Sequence, residues 1–146
     1  MKVYLDNCCL QRPLDDKSQV RVQLESEAVL AIMSLHEKRQ IELVSSEILE
    51  FELNQNPDRL RRTYVAEVLS GVATVIQVDE AIHARARELE AIGIRGMDAL
   101  HLACAEAAGV NYFSSCDDRF LRKARTIGGL GVTVVSLLEL VEELAR

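Results

Sequence analysis

Short β-branched runs alternate with longer amphipathic stretches along this whole chain, and that alternation limits the folds open to it. The runs are Val3 to Leu5, Ile41 to Ser45, Thr74 to Val78, Asn111 to Ser114 and Val132 to Val135. Between them Val20 to Lys38, Leu60 to Leu69, Ala81 to Ile92, Met97 to Ala108 and Leu137 to Leu144 carry apolar residues at helical spacing. A strand followed by a helix returns to its sheet beside and parallel to itself, so the pattern predicts an α/β layered fold with a mainly parallel sheet. Breaks at Asn56-Pro57, Gly93, Gly96, Gly109 and Gly128-Gly129-Gly131 read as turns or caps. None is long enough for a linker, and 146 residues suit one domain, 1–146.

Hydrophobic residues make up 49% of the chain but aromatics only 4%, so the core is expected to be aliphatic. A net charge of −6 supplies no global attraction to nucleic acid, and any phosphate-binding surface has to be a local basic patch. No signal-like or membrane-spanning stretch is evident. Cys8, Cys9, Cys104 and Cys116 lack zinc-type spacing, and the adjacent pair cannot close an ordinary disulfide. Cys104 reads as a small buried hydrophobe. Cys8 and Cys9 read either as redox-active thiols beside Asp6 or as packing, the second favoured because buried cysteines are usually inert. A reducing cytoplasm is the expected location.

Four acids stand where apolar runs end or helices begin. Asp6 closes the first run, Asp117 follows the fourth, Asp98 opens the Met97 helix, and Glu52 lies within Ile48-Leu49-Glu50-Phe51-Glu52-Leu53. Ligands of open parallel sheets bind beyond the carboxyl ends of the strands, where strand order reverses. Asp6 and Asp117 meet there if the order is 3-2-1-4-5. Converging carboxylates imply a cation or shifted pKa values. For Asp6, Asp98 and Asp117, helix capping or an Asx-turn is an equal reading. Glu52 resists a structural reading, because helical counting centres it on an apolar face with Ile48, Leu49, Phe51 and Leu53, and sends Glu47 and Glu50 to solvent. His101, one turn beyond Asp98, reads as a packed histidine or a partner of the acids.

Arg119, Arg122 and Lys123 follow Asp117 closely enough to reach phosphates, and Arg59, Arg61 and Arg62 form a second basic cluster. No Gly-rich phosphate loop and no Ser-His-Asp arrangement is present.

Asp6 after an N-terminal strand, Glu52-Leu53 early in a helix, Asp98-Ala-Leu-His-Leu-Ala, and Ser115-Cys116-Asp117-Asp118-Arg119-Phe120 resemble the four motifs of PIN-domain nucleases. The order and spacing agree over nearly the whole chain; the last two motifs are the more specific. The resemblance implies an α/β/α sandwich whose four acids hold Mg²⁺ or Mn²⁺ and cleave RNA. It also implies kinship with the toxins of VapBC-type pairs, hence an antitoxin-like partner. Two departures stand out. Cys8 occupies a place where a hydroxyl or amide is usual, so either Asn7 supplies part of that polar role or the first motif is altered. Gln11-Arg12-Pro13 through Lys17 also makes a longer lead into the first long helix than compact toxins have.

Oxygen donors select hard cations. Asp6, Asp98 and Asp117 are therefore the expected metal ligands, with Glu52 orienting water or acting as general base. Asn7 and Ser115 are expected to support the ligands, and Asp118 to stand in reserve. Surplus apolar positions on the Val20 and Leu137 helices suggest a homodimer or a small inhibitory partner. Two rivals remain: a metal-dependent phosphatase, and a non-catalytic PIN-like interaction module.

Overall fold

The computed structural model describes residues 1–146. Five strands, β1 (Lys2–Leu5), β2 (Glu42–Ser46), β3 (Thr74–Ile76), β4 (Tyr112–Ser115) and β5 (Thr133–Ser136), form one sheet in the order β3-β2-β1-β4-β5. Every pairing is parallel. The expected order 3-2-1-4-5 holds, and no antiparallel strand intervenes. The third strand ends at Ile76, two residues before the sequence reading.

A short helix α1 (Asn7–Gln11) and a 3₁₀ turn (Arg12–Leu14) follow β1, then α2 (Val20–Glu37). After β2 come α3 (Glu47–Gln55) and α4 (Arg59–Ser70); after β3, α5 (Glu80–Ala91) and α6 (Gly96–Ala108). Helix α7 (Asp118–Ala124) links β4 to β5, and α8 (Leu137–Leu144) ends the chain. Parallel connections turn right-handed. Strand addition runs one way from β1 through α2 and α4, and the other way beyond β4 through α7, so the connecting helices fall on opposite faces. Helix α8 returns to pack on α2, while α6 packs on α5, β2 and β3. The result is a three-layer α/β/α sandwich.

Local chemistry sets the boundaries. Ser46, Asp58, Asp79 and Ser136 each cap a helix by accepting backbone N–H bonds, Ser136 in a reciprocal capping box with Glu139. Gly109 ends α6 at φ +67°, a left-handed turn that costs glycine nothing. Val3, Tyr4 and Leu5 are buried between the helix layers, and Tyr4 stacks on Phe113 of β4 at 5.2 Å. Cys104 is fully buried on α6. No helix is long and apolar enough to cross a membrane.

Candidate active site

The strands that diverge in connectivity are β1 and β4, and their carboxyl ends open into a cleft of about 370 Å³. Asp6, Glu52, Asp98 and Asp117 all line it, delivered by four separate segments of the chain. Asn7, Cys8 and His101 line it too. The backbone N–H of Asp6 donates to the Ser114 carbonyl at 3.1 Å, which fixes the end of β1 against β4.

For Asp6 and Asp117 the capping reading holds, and both residues also line the cleft. Asp6 Oδ1 accepts from Cys9 N–H at 3.3 Å, capping α1. Asp117 Oδ1 accepts from Arg119 and Phe120 N–H at 2.9 and 3.2 Å, capping α7. In each residue the cap uses one oxygen and leaves Oδ2 out of it. Asp98 sits half-buried in the first turn of α6. Burial pushes the carboxyls of Asp6 and Asp98 above the usual range; Cys8 adds to it for Asp6, and Asp117 and Glu52 add to it for Asp98.

Glu52 is held by a directional chain. Its Oε1 bonds His101 Nε2. His101 Nδ1 lies 2.6 Å from the Tyr4 hydroxyl, which lies 2.7 Å from Ser46 Oγ, which accepts from Leu49 N–H. A carboxylate needs a donor, so the Nε2 proton goes to Glu52 and Nδ1 is left to accept. Tyr4 then donates to His101, and Ser46 donates to Tyr4. Every group is satisfied, and both readings of His101 hold: it is packed, and it touches an acid of the cleft.

Elsewhere the sequence reading needs amendment. Phe51 is 54% exposed and does not join the apolar face; Leu49 and Leu53 do. Glu50 faces solvent, but Glu47 is half-buried and accepts from Val78 N–H. Asp118 stays out of the cleft, because Arg21 of α2 grips both its oxygens at 2.7 and 2.8 Å. Arg122 lies beside that pair, in a depression with Arg21 and Asp118. Arg119 and Lys123 instead border a small hollow that shares Asp98 and Asp117 with the cleft. Ser115 is buried beside the cleft, accepting from Asp117 N–H at 3.1 Å.

Two acids escaped the sequence reading. Asp15 lines the cleft with Gln11, pinned by Arg61 at 2.8 Å and Arg12 at 3.0 Å. The long lead to α2 thus folds back over the site. Glu25 is buried on α2 and held by Arg12 at 2.8 Å and Arg21 at 3.3 Å. Each is held by one arginine close in sequence, Arg12 for Asp15 and Arg21 for Glu25, and by one from further off, Arg61 and Arg12 respectively, which only the fold brings up.

The thiols also converge. Cys8 Sγ donates to Asp6 Oδ1 at 2.7 Å, the service expected of the hydroxyl or amide it replaces. Cys8, Cys9 and Cys116 place their sulfurs within 4.8 Å of one another. Hydrogen bonds with Cys8 and then Cys9 pull the Cys116 thiol down to about 5.

Residues 4–126 match the family profile of the PIN domain. The chain belongs to the PIN-domain family. Three solved structures share the fold of this PIN-domain chain. FitAcB from Neisseria gonorrhoeae is 16% identical at a TM-score of 0.62, covering 93% of this chain and 98% of its own. VapBC2 from Rickettsia felis, bound to a DNA fragment from its promoter, is 14% identical at 0.61, with coverage of 93% and 98%. VapBC-1 from nontypeable Haemophilus influenzae is 11% identical at 0.60, with coverage of 94% and 99%. No curated protein matches this PIN-domain chain in sequence.

Proposed function

We propose that this PIN-domain protein is a divalent-metal-dependent ribonuclease acting as the toxin of a toxin–antitoxin pair. The observation that carries the reading is the gathering of Asp6, Glu52, Asp98 and Asp117 in one cleft at the point where strand order reverses. Family membership supports nuclease chemistry, and the likeness to VapBC and FitAB structures supports the toxin role.

The donor set fits Mg²⁺ or Mn²⁺, which take oxygen ligands. No three of these carboxylates bring oxygens within 4.8 Å of one another. Opposite ligands of an octahedral Mg²⁺ are only about 4.2 Å apart, twice its bond length. Asp6, Asp98 and Asp117 would therefore hold an ion in part through water, the usual habit of Mg²⁺. When bound, the cation polarises the scissile phosphate and offsets charge on the leaving oxygen. Glu52, steadied by His101, orients the attacking water or takes its proton. Arg119 and Lys123, beside Asp98 and Asp117, are placed to hold RNA phosphates in a protein whose net charge would repel them.

Purified protein incubated with total RNA, with and without Mn²⁺, tests the reading. Metal-dependent cuts that vanish in Asp6→Asn and Asp98→Asn are expected. Full activity in either variant, or in excess chelator, would overturn it.

A further inference from the structure

Beside the carboxylate cleft lies a second group of ligand atoms, made of sulfur. Cys8 and Cys9 sit in α1 directly after Asp6, and Cys116 sits between β4 and Asp117. Because β1 and β4 are neighbours, the two segments leave the sheet side by side. The sulfurs of Cys9 and Cys116 are 3.7 Å apart, and the Cys116 backbone N–H donates to Cys8 Sγ at 3.3 Å.

We propose that Cys8, Cys9 and Cys116, completed by Asp6, form a site for a thiophilic d¹⁰ cation such as Zn²⁺, and that filling it withdraws Asp6 from the carboxylate set. The binding claim stands alone; the inhibition that follows from it rests on the nuclease reading.

Four observations carry the site. First, a tetrahedral ion with bonds of about 2.3 Å to sulfur sets its sulfurs about 3.8 Å apart. The Cys9–Cys116 spacing already has that value, and all three sulfurs lie within 4.8 Å. Second, a fourth donor adjoins the cluster: Asp6 Oδ1 touches Cys8 Sγ at 2.7 Å, and the ion needs that gap widened to about 3.5 Å and the carboxylate drawn in toward the other two sulfurs. Third, the cluster is reachable, since Cys8 is exposed and Cys116 half-buried, while fully buried Cys9 anchors the far side. Fourth, thiolate charge has cations close by: Arg21 donates to the Cys116 carbonyl at 3.2 Å, and Arg12 shares Glu25 with it. Sulfur donors select Zn²⁺ or Cu⁺ against Mg²⁺ and Mn²⁺, so the two sites take different ions and compete for one carboxylate.

The test uses the full chain under a phosphine reductant, which keeps the thiols from forming disulfides. Co²⁺ serves as spectroscopic stand-in and Zn²⁺ as competitor. One equivalent of Co²⁺ is expected to give a thiolate-to-metal charge-transfer band and tetrahedral visible bands, both erased by one equivalent of Zn²⁺. Cys9→Ser and Cys116→Ser should lose the charge-transfer band, and Cys104→Ala should keep it. Cys8→Ser, at the exposed position, weakens the band without disturbing the core, so loss of signal cannot be assigned to misfolding. A wild-type protein without the band, or a Cys9→Ser/Cys116→Ser double variant that keeps it, would overturn the site. In Mn²⁺-supported cleavage, Cys8→Ser should need at least about tenfold more Zn²⁺ than wild type for half-inhibition, each measured against its own zinc-free rate. Equal sensitivity would overturn the coupling to Asp6. Absence of any Mn²⁺-supported cleavage would instead count against the nuclease reading, with the spectra still deciding the site.

Discussion

Tyr4 illustrates how one hydroxyl serves both the core and the cleft. Its ring is buried against Phe113, while its oxygen joins Ser46 to His101 and so fixes the imidazole that faces Glu52. Tyr4→Phe removes the donor to His101 Nδ1 and leaves that buried nitrogen without a partner, while Ser46 keeps only its bond from Leu49 N–H. The cost should be about 1–3 kcal/mol in denaturant unfolding, accompanied by slower RNA cleavage. Unchanged stability would show that the hydroxyl is not the donor in this chain. At Asp6 and Asp98 the balance is electrostatic. Burial first, and neighbouring acids in the case of Asp98, raise both carboxyls, so the folded chain keeps protons that the unfolded chain has released. Their contribution to stability is complete below about pH 4 and is lost as pH rises through the folded values. A divalent cation relieves that loss. The rise in melting temperature on adding Mn²⁺ should therefore be larger at neutral pH than in mildly acidic buffer. A rise independent of pH would break the link to these two groups.

At the scale of elements, α3 decides which acid reaches the cleft. Leu49 and Leu53 turn inward, and Glu52 lies on the same side, while Glu50 faces solvent. Glu52→Gln should fold normally and lose on the order of 10²-fold or more in cleavage rate, the usual contribution of a general base. Glu50→Gln should match wild type in both. Glu47 behaves differently from the sequence expectation, because its carboxylate closes the loop after β3 by accepting from Val78 N–H. Glu47→Ala should lower the melting point without touching the cleft; an unaltered melting point would mean that water replaces the lost acceptor. Much of this was legible in the sequence. Periodicity locates strands and helices because burial acts at every second or every third to fourth residue, and turn residues mark the ends. Asp6, Asp98 and Asp117 were legible because a strand end or helix start is fixed locally, and Glu52 because it falls on the inward side of its helix. Asp118 was not: it neighbours Asp117, and only the arrival of Arg21 from α2 shows which way it turns. The convergence of Cys116 with Cys8 and Cys9 was hidden for the same reason, since strand adjacency, not sequence spacing, makes it. Phe51 misled because an aromatic side chain counts as apolar wherever it points.

Across the whole molecule, two helices cover one face of the sheet incompletely on their own outer side. Val20, Leu24 and Leu30 of α2 and Leu138 of α8 remain exposed, at 72, 44, 51 and 40%. Exposed apolar positions on packed helices mark contact surfaces. A second copy of the chain or an antitoxin-like protein is expected there. Light scattering should show a species larger than the monomer, and Leu24→Lys with Leu30→Lys should shrink it; a strict monomer with no partner in native extract would sink the idea.

The order of the strands also has a consequence in time. Asp6 and Asp117 meet only when β1 pairs with β4, two elements about a hundred residues apart in sequence. Such non-local pairing is slow to form, because the loop must be closed before any contact rewards it. At ordinary synthesis rates of roughly 5–20 residues per second, about ten seconds separate the appearance of the first acid from that of the last. A nascent chain still lacking β4 has neither Asp117 nor the strand that brings it beside Asp6. On the ribonuclease reading, a nascent chain is therefore harmless to nearby RNA until Asp117 has been made and β4 has paired with β1, an interval in which a partner made beforehand can already be waiting.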